Sequence, residues 1–273
     1  MNVMSSSELV RPVFSASVTL MFREMPLLDR FAAARHAGFT GVEIQYLAEG
    51  KPQDMATAAA DAGVEVVLVN VGMGDYPGGG VGLSGVPGRE ATFIEEAAKA
   101  LEAAHLLGAK YVHLGPSRIP EGATRDDCLS TYYANLDAAL ALHSRSQSTV
   151  ELLVEPMNRV EAPTALIQDI DDGAALLRAR YAGRIGLQFD IYHVAMNGHD
   201  VLDRYRAHRD LVRHVQFSDI PGRREPGAGT LNFDALFAGF RQLGYAGWFG
   251  AEYMPQRATV ETLGWFERYR LSE

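Results

Sequence analysis

The stretch 149–161 reads TVELLVEPMNRVE. A short apolar run predicts a buried strand, and Pro156, with no N–H to donate, marks where the chain leaves it. Glu155 stands at that exit, where a charged side chain is expensive unless it is paired or bound. Runs of the same kind recur at 13–18 (VFSASV), 41–46 (GVEIQY), 65–70 (EVVLVN), 110–115 (KYVHLG), 185–190 (IGLQFD), 212–217 (VRHVQF) and 247–252 (GWFGAE). Helical patterns lie between and after them, at 26–37, 52–62, 89–107, 125–145, 164–181, 198–210, 232–243 and 258–269. Pro26 suits a first helical turn, and Gly38, Gly63 and Gly108 follow periodic stretches as helix-ending glycines. The segment LNFDALFAGFRQLG at 231–244 repeats Phe and Leu at helical spacing and so carries one apolar face.

Eight strand–helix units over about 250 residues with no linker match the count and length of a (β/α)8 TIM barrel, an α/β fold, as one domain over 13–273 behind a loose tail at 1–12. A doubly wound open sheet has the same alternation. The glycines at 72–80 (GMGDYPGGG) do not form the G-x-G-x-x-G turn that opens a dinucleotide-binding helix, and they read instead as a flexible surface loop. The barrel is therefore the expectation.

The chain has 25 basic and 34 acidic residues, a formal charge of −9, which repels phosphate backbones and disfavours nucleic-acid partners. Its one cysteine, Cys128, excludes an internal disulfide or a Cys-based metal cluster and suits a reducing cytoplasm. Residues 1–11 lack the basic start and apolar core of a signal peptide, and no window approaches the roughly 18 apolar residues of a membrane span. The sequence allows a homo-oligomer through apolar loop residues such as Tyr76, Pro77 and Trp248.

Barrel enzymes place their chemistry at the carboxyl ends of the strands. The residues there are Asn70, His113, Glu155, Asp190, Gln216 and Glu252, with Glu43 ranked below them because it falls mid-strand. A lone glutamate at a strand end is commonly a salt-bridge partner or a cap, but four oxygen-bearing residues ending strands five to eight ask for another explanation. Carboxylates converging on one mouth require a cation or a raised pKa on one of them. Period-two alternation puts His214, Gln216 and Ser218 on one face of strand seven. Glu155, Asp190, Gln216 and Glu252 would then form an oxygen-only set suited to Mg²⁺ or Mn²⁺. His193, three residues after Asp190, is placed to touch a substrate, while His36, His105, His143, His199 and His208 sit on helical segments as surface or packing residues.

FSASVTLMF at 14–22, AGFTGVEI at 37–44, GLSGVPGRE at 82–90, VEPMN at 154–158, QFDIYH at 188–193, HVQFSDIPGRREPGAGTLNF at 214–233 and GYAGWFGAEYMPQ at 244–256, in this order, resemble the hydroxypyruvate isomerases. These belong to the xylose-isomerase-like barrel superfamily, with sugar epimerases and 2-oxo-tetronate isomerases. The resemblance implies that Glu155 and Glu252 are an acid/base pair that also contacts metal, that Asp190 is a metal ligand, and that His193, Glu161 and Arg223 face substrate. Asn70 and His113, at the ends of strands three and four, join the expected substrate contacts. It further implies interconversion of hydroxypyruvate and tartronate semialdehyde, a small keto acid whose carboxylate Arg223 can grip in bidentate fashion. The superfamily's epimerases carry His in the metal site on strand seven, where this chain has Gln216. EPMNRVE leans toward the epimerase pattern, while Gln216 and the PGRREPGAG loop at 221–229 lean toward hydroxypyruvate.

Overall fold

In a computed structural model describing residues 11–146 and 148–269, the eight apolar runs form parallel strands closed into a barrel. They are β1 (Val13–Ser17), β2 (Gly41–Ile44), β3 (Glu65–Asn70), β4 (Tyr111–His113), β5 (Glu151–Val154), β6 (Ile185–Asp190), β7 (Val212–Phe217) and β8 (Trp248–Ala251). Closure separates the barrel from the open sheet: Ala16 of β1 lies opposite Val42 of β2 on one side and Ala251 of β8 on the other. Of the expected tail, only Arg11 and Pro12 fall within the described residues. Among the described residues no helix is long and apolar enough to cross a membrane.

The helices are α1 (Asp29–Ala37), α2 (Pro52–Ala62), α3 (Glu90–Leu107), α4 (Arg125–Ser146), α5 (Ile170–Leu176), α6 (Ile191–Met196), α7 (Val201–His208) and α8 (Phe233–Gln242). Gly38, Gly63 and Gly108 end α1, α2 and α3 in the left-handed conformation, as their positions predict. Three helical expectations are corrected. The pattern at 164–181 becomes helical only at Ile170, because Asp169 caps α5 by accepting the Asp171 N–H at 3.0 Å. The residues before it bond outward instead, Leu166 N–H to the Ser117 carbonyl at 2.9 Å. The pattern at 198–210 shortens to α7 behind the Asp200 cap, and α6 springs directly from β6 because Asp190 caps it. Residues 258–269 form two short 3-10 turns, since Trp265 and Phe266 each pack edge-on against Phe14, at 5.4 Å between ring centroids.

Alternation along β7 sorts the core. Phe217 faces the helices, where it meets Phe14, Phe233, Phe237 and Trp265. His214 and Gln216 face the barrel interior, and what they meet there is Glu43, fully buried. Its carboxylate accepts hydrogen bonds from Ser15 Oγ (2.6 Å), Gln216 Nε2 (2.7 Å), His214 Nε2 (2.8 Å) and Gln45 Nε2 (3.2 Å). Burial opposes its charge, yet His214 and these donors hold its carboxyl below the ordinary carboxylate range.

Ser15, Gly250 and Gln216 stand side by side on β1, β8 and β7. A Cβ on Gly250 would collide with the Glu43 carboxylate, so only glycine leaves room for the charge. Gly250→Ala is expected to lose about 1–3 kcal/mol in chemical denaturation through this overpacking; an unchanged midpoint would show that Glu43 can move aside.

Candidate active site

The strand exits surround a cavity of about 200 Å³ lined, among others, by Asn70, His113, Glu155, His193, Arg223 and Glu252. Pro156 turns the chain out of β5 directly after Glu155, and Glu252 follows the last residue of β8, so both glutamates reach the cavity from strand ends. Several polar atoms here are buried and have no hydrogen-bond partner: Asn70 Oδ1, both ring nitrogens of His113, Glu155 Oε1, His193 Nε2 and Arg223 Nε. Buried polar atoms are seldom left unpaired. Their convergence on one cavity makes it the candidate site for a polar ligand.

Arg223 is the charge that makes this crowding tolerable. Its guanidinium bridges Asp190 Oδ2 at 2.8 Å and Glu252 Oε2 at 2.5 Å, and lies 5.2 Å from the centre of the Tyr192 ring. The loop presenting it is wound around Asp219, which is fully buried. Asp219 accepts from the N–H groups of Ile220 (2.9 Å), Gly227 (3.0 Å), Gly229 (2.9 Å) and Leu231 (3.0 Å). A Cβ on Gly229 would strike the Ile220 carbonyl and Asp219 itself. Arg223 has φ +56, a left-handed backbone that this wrapping holds in place.

Burial, with Asp190 and Glu43 nearby, pushes Glu252 up to about 8 despite the opposing pull of Arg223. Burial and the charges of Glu252 and Asp190 raise Glu155 well above the ordinary range, and burial also raises Asp190. Burial pushes His113 down to about 3 and holds His193 well below its usual value, Arg223 adding to the effect on His193. The site therefore holds three carboxyls raised above their ordinary range, Glu252 to about 8, beside two histidines whose charged forms burial disfavours.

Met73, Tyr76 and Pro77, from the glycine-rich segment after β3, line the cavity with Met157 and Met254. The sequence suggests a flexible surface loop here, but Arg118 pins it, donating to the Tyr76 carbonyl at 3.1 Å and the Gly80 carbonyl at 2.5 Å with its guanidinium 3.9 Å from the Tyr76 ring centre. Arg89 adds bonds to Asp75 and the Gly82 carbonyl, each at 3.0 Å.

Of the expected metal set, Glu155, Asp190 and Glu252 gather around Arg223, whereas Gln216 is turned into the barrel. There its amide donates to Glu43 and its oxygen accepts from Gln188 Nε2 at 2.5 Å. Among the described residues, ligand atoms of Glu155, Asp190 and His193 lie within 4.8 Å of one another. Facing carboxylate oxygens, one of them unpartnered, fit a hard divalent cation. A second such group, Asp169, Asp171 and His199, is already engaged, with Asp169 accepting from His199 at 2.8 Å and Arg159 at 3.0 Å.

Glu161 does not line the cavity; it accepts a hydrogen bond from the Tyr192 hydroxyl. Two contributors, Asp219 and Asn158, carry no role in the sequence analysis, and a third, Glu43, ranks there below the strand-end residues. Asn158, fully buried, holds His193 Nδ1 at 2.8 Å. Only the glycine spacing after Asp219 hinted at a wrapped turn.

Residues 31–269 match the family model described as xylose isomerase-like TIM barrel. A 2-oxo-tetronate isomerase from Cupriavidus necator is 35% identical over 94% of this chain and 98% of its own length. A hydroxypyruvate isomerase from Escherichia coli is 30% identical over 94% and 99%. Among solved structures, one titled AP endonuclease, family 2, from Brucella melitensis superposes with a TM-score of 0.88 at 32% identity, covering 95% of this chain and all of that one.

In the metal-free protein the Glu252 carboxyl, followed by ¹³C NMR, is expected to titrate near 8 and to move upward in Arg223→Met, because the guanidinium is what lowers it. The folded state keeps a proton that the unfolded chain releases in the ordinary carboxylate range, so stability falls as pH rises from that range to about 8. A midpoint at the ordinary carboxylate value would contradict the burial argument.

Proposed function

The chain belongs to the xylose isomerase-like TIM barrel family and is an isomerase of the aldose–ketose type; from that premise we propose that it interconverts hydroxypyruvate and tartronate semialdehyde (2-hydroxy-3-oxopropanoate). The supporting observation is the meeting of Glu155 and Glu252 with unpartnered polar atoms at one small cavity. Its volume of about 200 Å³ suits a short acid better than a polymer, and the charge of −9 weighs against nucleic acid.

In this reading one of the two glutamates removes a proton from C3, the hydroxymethyl carbon. The electron pair moves into an enediolate, the other carboxyl protonates C2, and the C3 hydroxyl proton passes to the C2 oxygen. Raised carboxyl pKa values suit this exchange, since a catalytic group works best when its pKa lies near the working pH. The two glutamates titrate together, and neither is assigned as the sole base. Arg223, whose Nε is buried and unpartnered, binds the substrate carboxylate while still holding Asp190 and Glu252 in place. Glu155 and Asp190 would hold a divalent cation, Mg²⁺ or Mn²⁺ by the chemistry of these oxygens, which when bound would add positive charge near the developing oxyanion. Met73, Tyr76 and Met157 give the cavity an apolar lining beside the reacting carbons in this reading.

The 2-oxo-tetronate isomerase likeness favours a second reading on a four-carbon acid, with the same residues in the same roles. A substrate panel separates the two: hydroxypyruvate, 2-oxo-tetronates and free ketoses in D₂O, followed by ¹H NMR with chelator or with added Mg²⁺ or Mn²⁺. Deuterium uptake and turnover fastest on hydroxypyruvate are expected; none on hydroxypyruvate beside rapid uptake on a 2-oxo-tetronate would transfer the assignment. Glu155→Gln and Glu252→Gln should each lower kcat by about 10²–10⁴-fold. Near-normal turnover in either removes the pair. Arg223→Lys should raise KM about tenfold or more, since an ammonium cannot reproduce the planar two-point contact.

A further inference from the structure

We propose that Asn158 fixes the tautomer of His193, leaving the ring proton on Nε2 as a hydrogen-bond donor to the substrate oxygen that gains charge during isomerisation. The inference rests on the isomerase reading for the identity of that oxygen, and on geometry alone for the tautomer.

An asparagine side chain can be turned over without changing its shape, so its orientation has to be argued from its partners. Asn158 Oδ1 accepts two backbone N–H groups, from Val160 at 3.0 Å and Glu161 at 2.8 Å. Those donors have no alternative role. Turning the amide over would set its NH₂ against both, in a fully buried position. The oxygen is therefore fixed, and the atom 2.8 Å from His193 Nδ1 is the amide nitrogen.

An amide nitrogen donates and cannot accept. His193 Nδ1 must then receive the bond through its lone pair, and it carries no hydrogen. This excludes both the doubly protonated ring and the Nδ1–H tautomer, leaving the neutral Nε2–H form. That nitrogen is buried and has no hydrogen-bond partner in the protein. The carboxylate oxygens that approach it, Asp190 Oδ2 at 3.6 Å and Glu155 Oε1 at 3.9 Å, are both beyond hydrogen-bonding distance.

The consequence separates His193 from the carboxylates grouped with it. A protonated Nε2 offers no lone pair to a cation, so cation binding falls to Glu155 and Asp190, while His193 addresses the substrate. A neutral N–H held ready before reaction is the kind of donor that stabilises an oxyanion without reorganisation. Asn158 acts through His193 as a positioning residue. It also accounts for part of the EPMNRVE segment that the acid/base pair leaves unexplained.

The test uses full-length protein labelled with ¹⁵N in its histidine rings, and a long-range ¹H–¹⁵N correlation in which His193 is assigned by its loss in His193→Gln. The expected result is a pyridine-type Nδ1 and a pyrrole-type Nε2, unchanged by saturating Mg²⁺. A pyrrole-type Nδ1 overturns the assignment, and loss of the Nε2 proton on adding Mg²⁺ overturns the exclusion of His193 from cation binding. Asn158→Asp keeps the oxygen that accepts both turn N–H groups but replaces the donor with an acceptor. It should move the proton to Nδ1 and lower kcat by about 10²–10³-fold with KM little changed; unchanged turnover after that shift overturns the catalytic role. The tautomer is read without substrate, and turnover is compared on whichever keto acid of the panel reacts fastest. A wrong substrate therefore leaves this test intact.

Discussion

A negative charge inside a closed barrel is the constraint on which the interior is built. An isolated carboxylate in such surroundings costs several kcal/mol, and Glu43 persists because Ser15, His214, Gln216 and Gln45 all donate to it. These donors come from β1, from β7 and from the end of β2, and the glycine at 250 admits the carboxylate from the side of β8. A one-residue slip of β7 would turn His214 and Gln216 toward the helices and leave the charge without two of its donors. The polar layer thus specifies strand register from within, while Phe14, Phe217, Phe237 and Phe249 do so from outside.

The same charge reaches the chemistry. Glu43 contributes to raising both Asp190 and Glu252, and it claims the Gln216 amide. Arg223 opposes it from above, anchored by a loop whose N–H groups converge on Asp219. Between these two fixed charges Glu252 is pushed up to about 8 by burial and the neighbouring carboxylates and pulled back by Arg223. This is why a buried aspartate that touches no part of the cavity belongs in an account of the reaction.

The fold was legible because apolar runs and helical periods repeat eight times, and barrel closure follows from that count. The carboxyl-end positions of Asn70, His113, Glu155 and Glu252 were legible for the same reason. What could not be read were the pairings inside the barrel. Glu43 looked secondary because it lies mid-strand, yet mid-strand residues on the inner face are the ones that meet across a closed barrel. Gln216 looked like a ligand because its oxygen lies near a strand end, but alternation cannot say that Gln188 already uses it. Asn158 carried no signal, since a turn-forming asparagine and one that orients a histidine are spelled alike. α6 was missed because its cap, Asp190, had been read only as a ligand, while one carboxylate oxygen caps and the other pairs with Arg223.

The cavity's asymmetry bears on what such a site can catalyse. Carboxyls and neutral imidazoles form its sides, while Leu20, Met73, Met157 and Met254 contribute apolar surface. An enediolate is basic at carbon and oxygen alike, and open water would protonate it without regard to position. In the proposed reaction, carboxyls held at fixed positions by the barrel would deliver the proton in place of that water and so select the carbon that receives it. A short acid is also bound largely through its polar ends, because it has little apolar surface to bury. On the proposed substrate that binding would fall to Arg223 and the imidazoles, and Asp219 and Asn158 hold the loop of Arg223 and the ring of His193 in place.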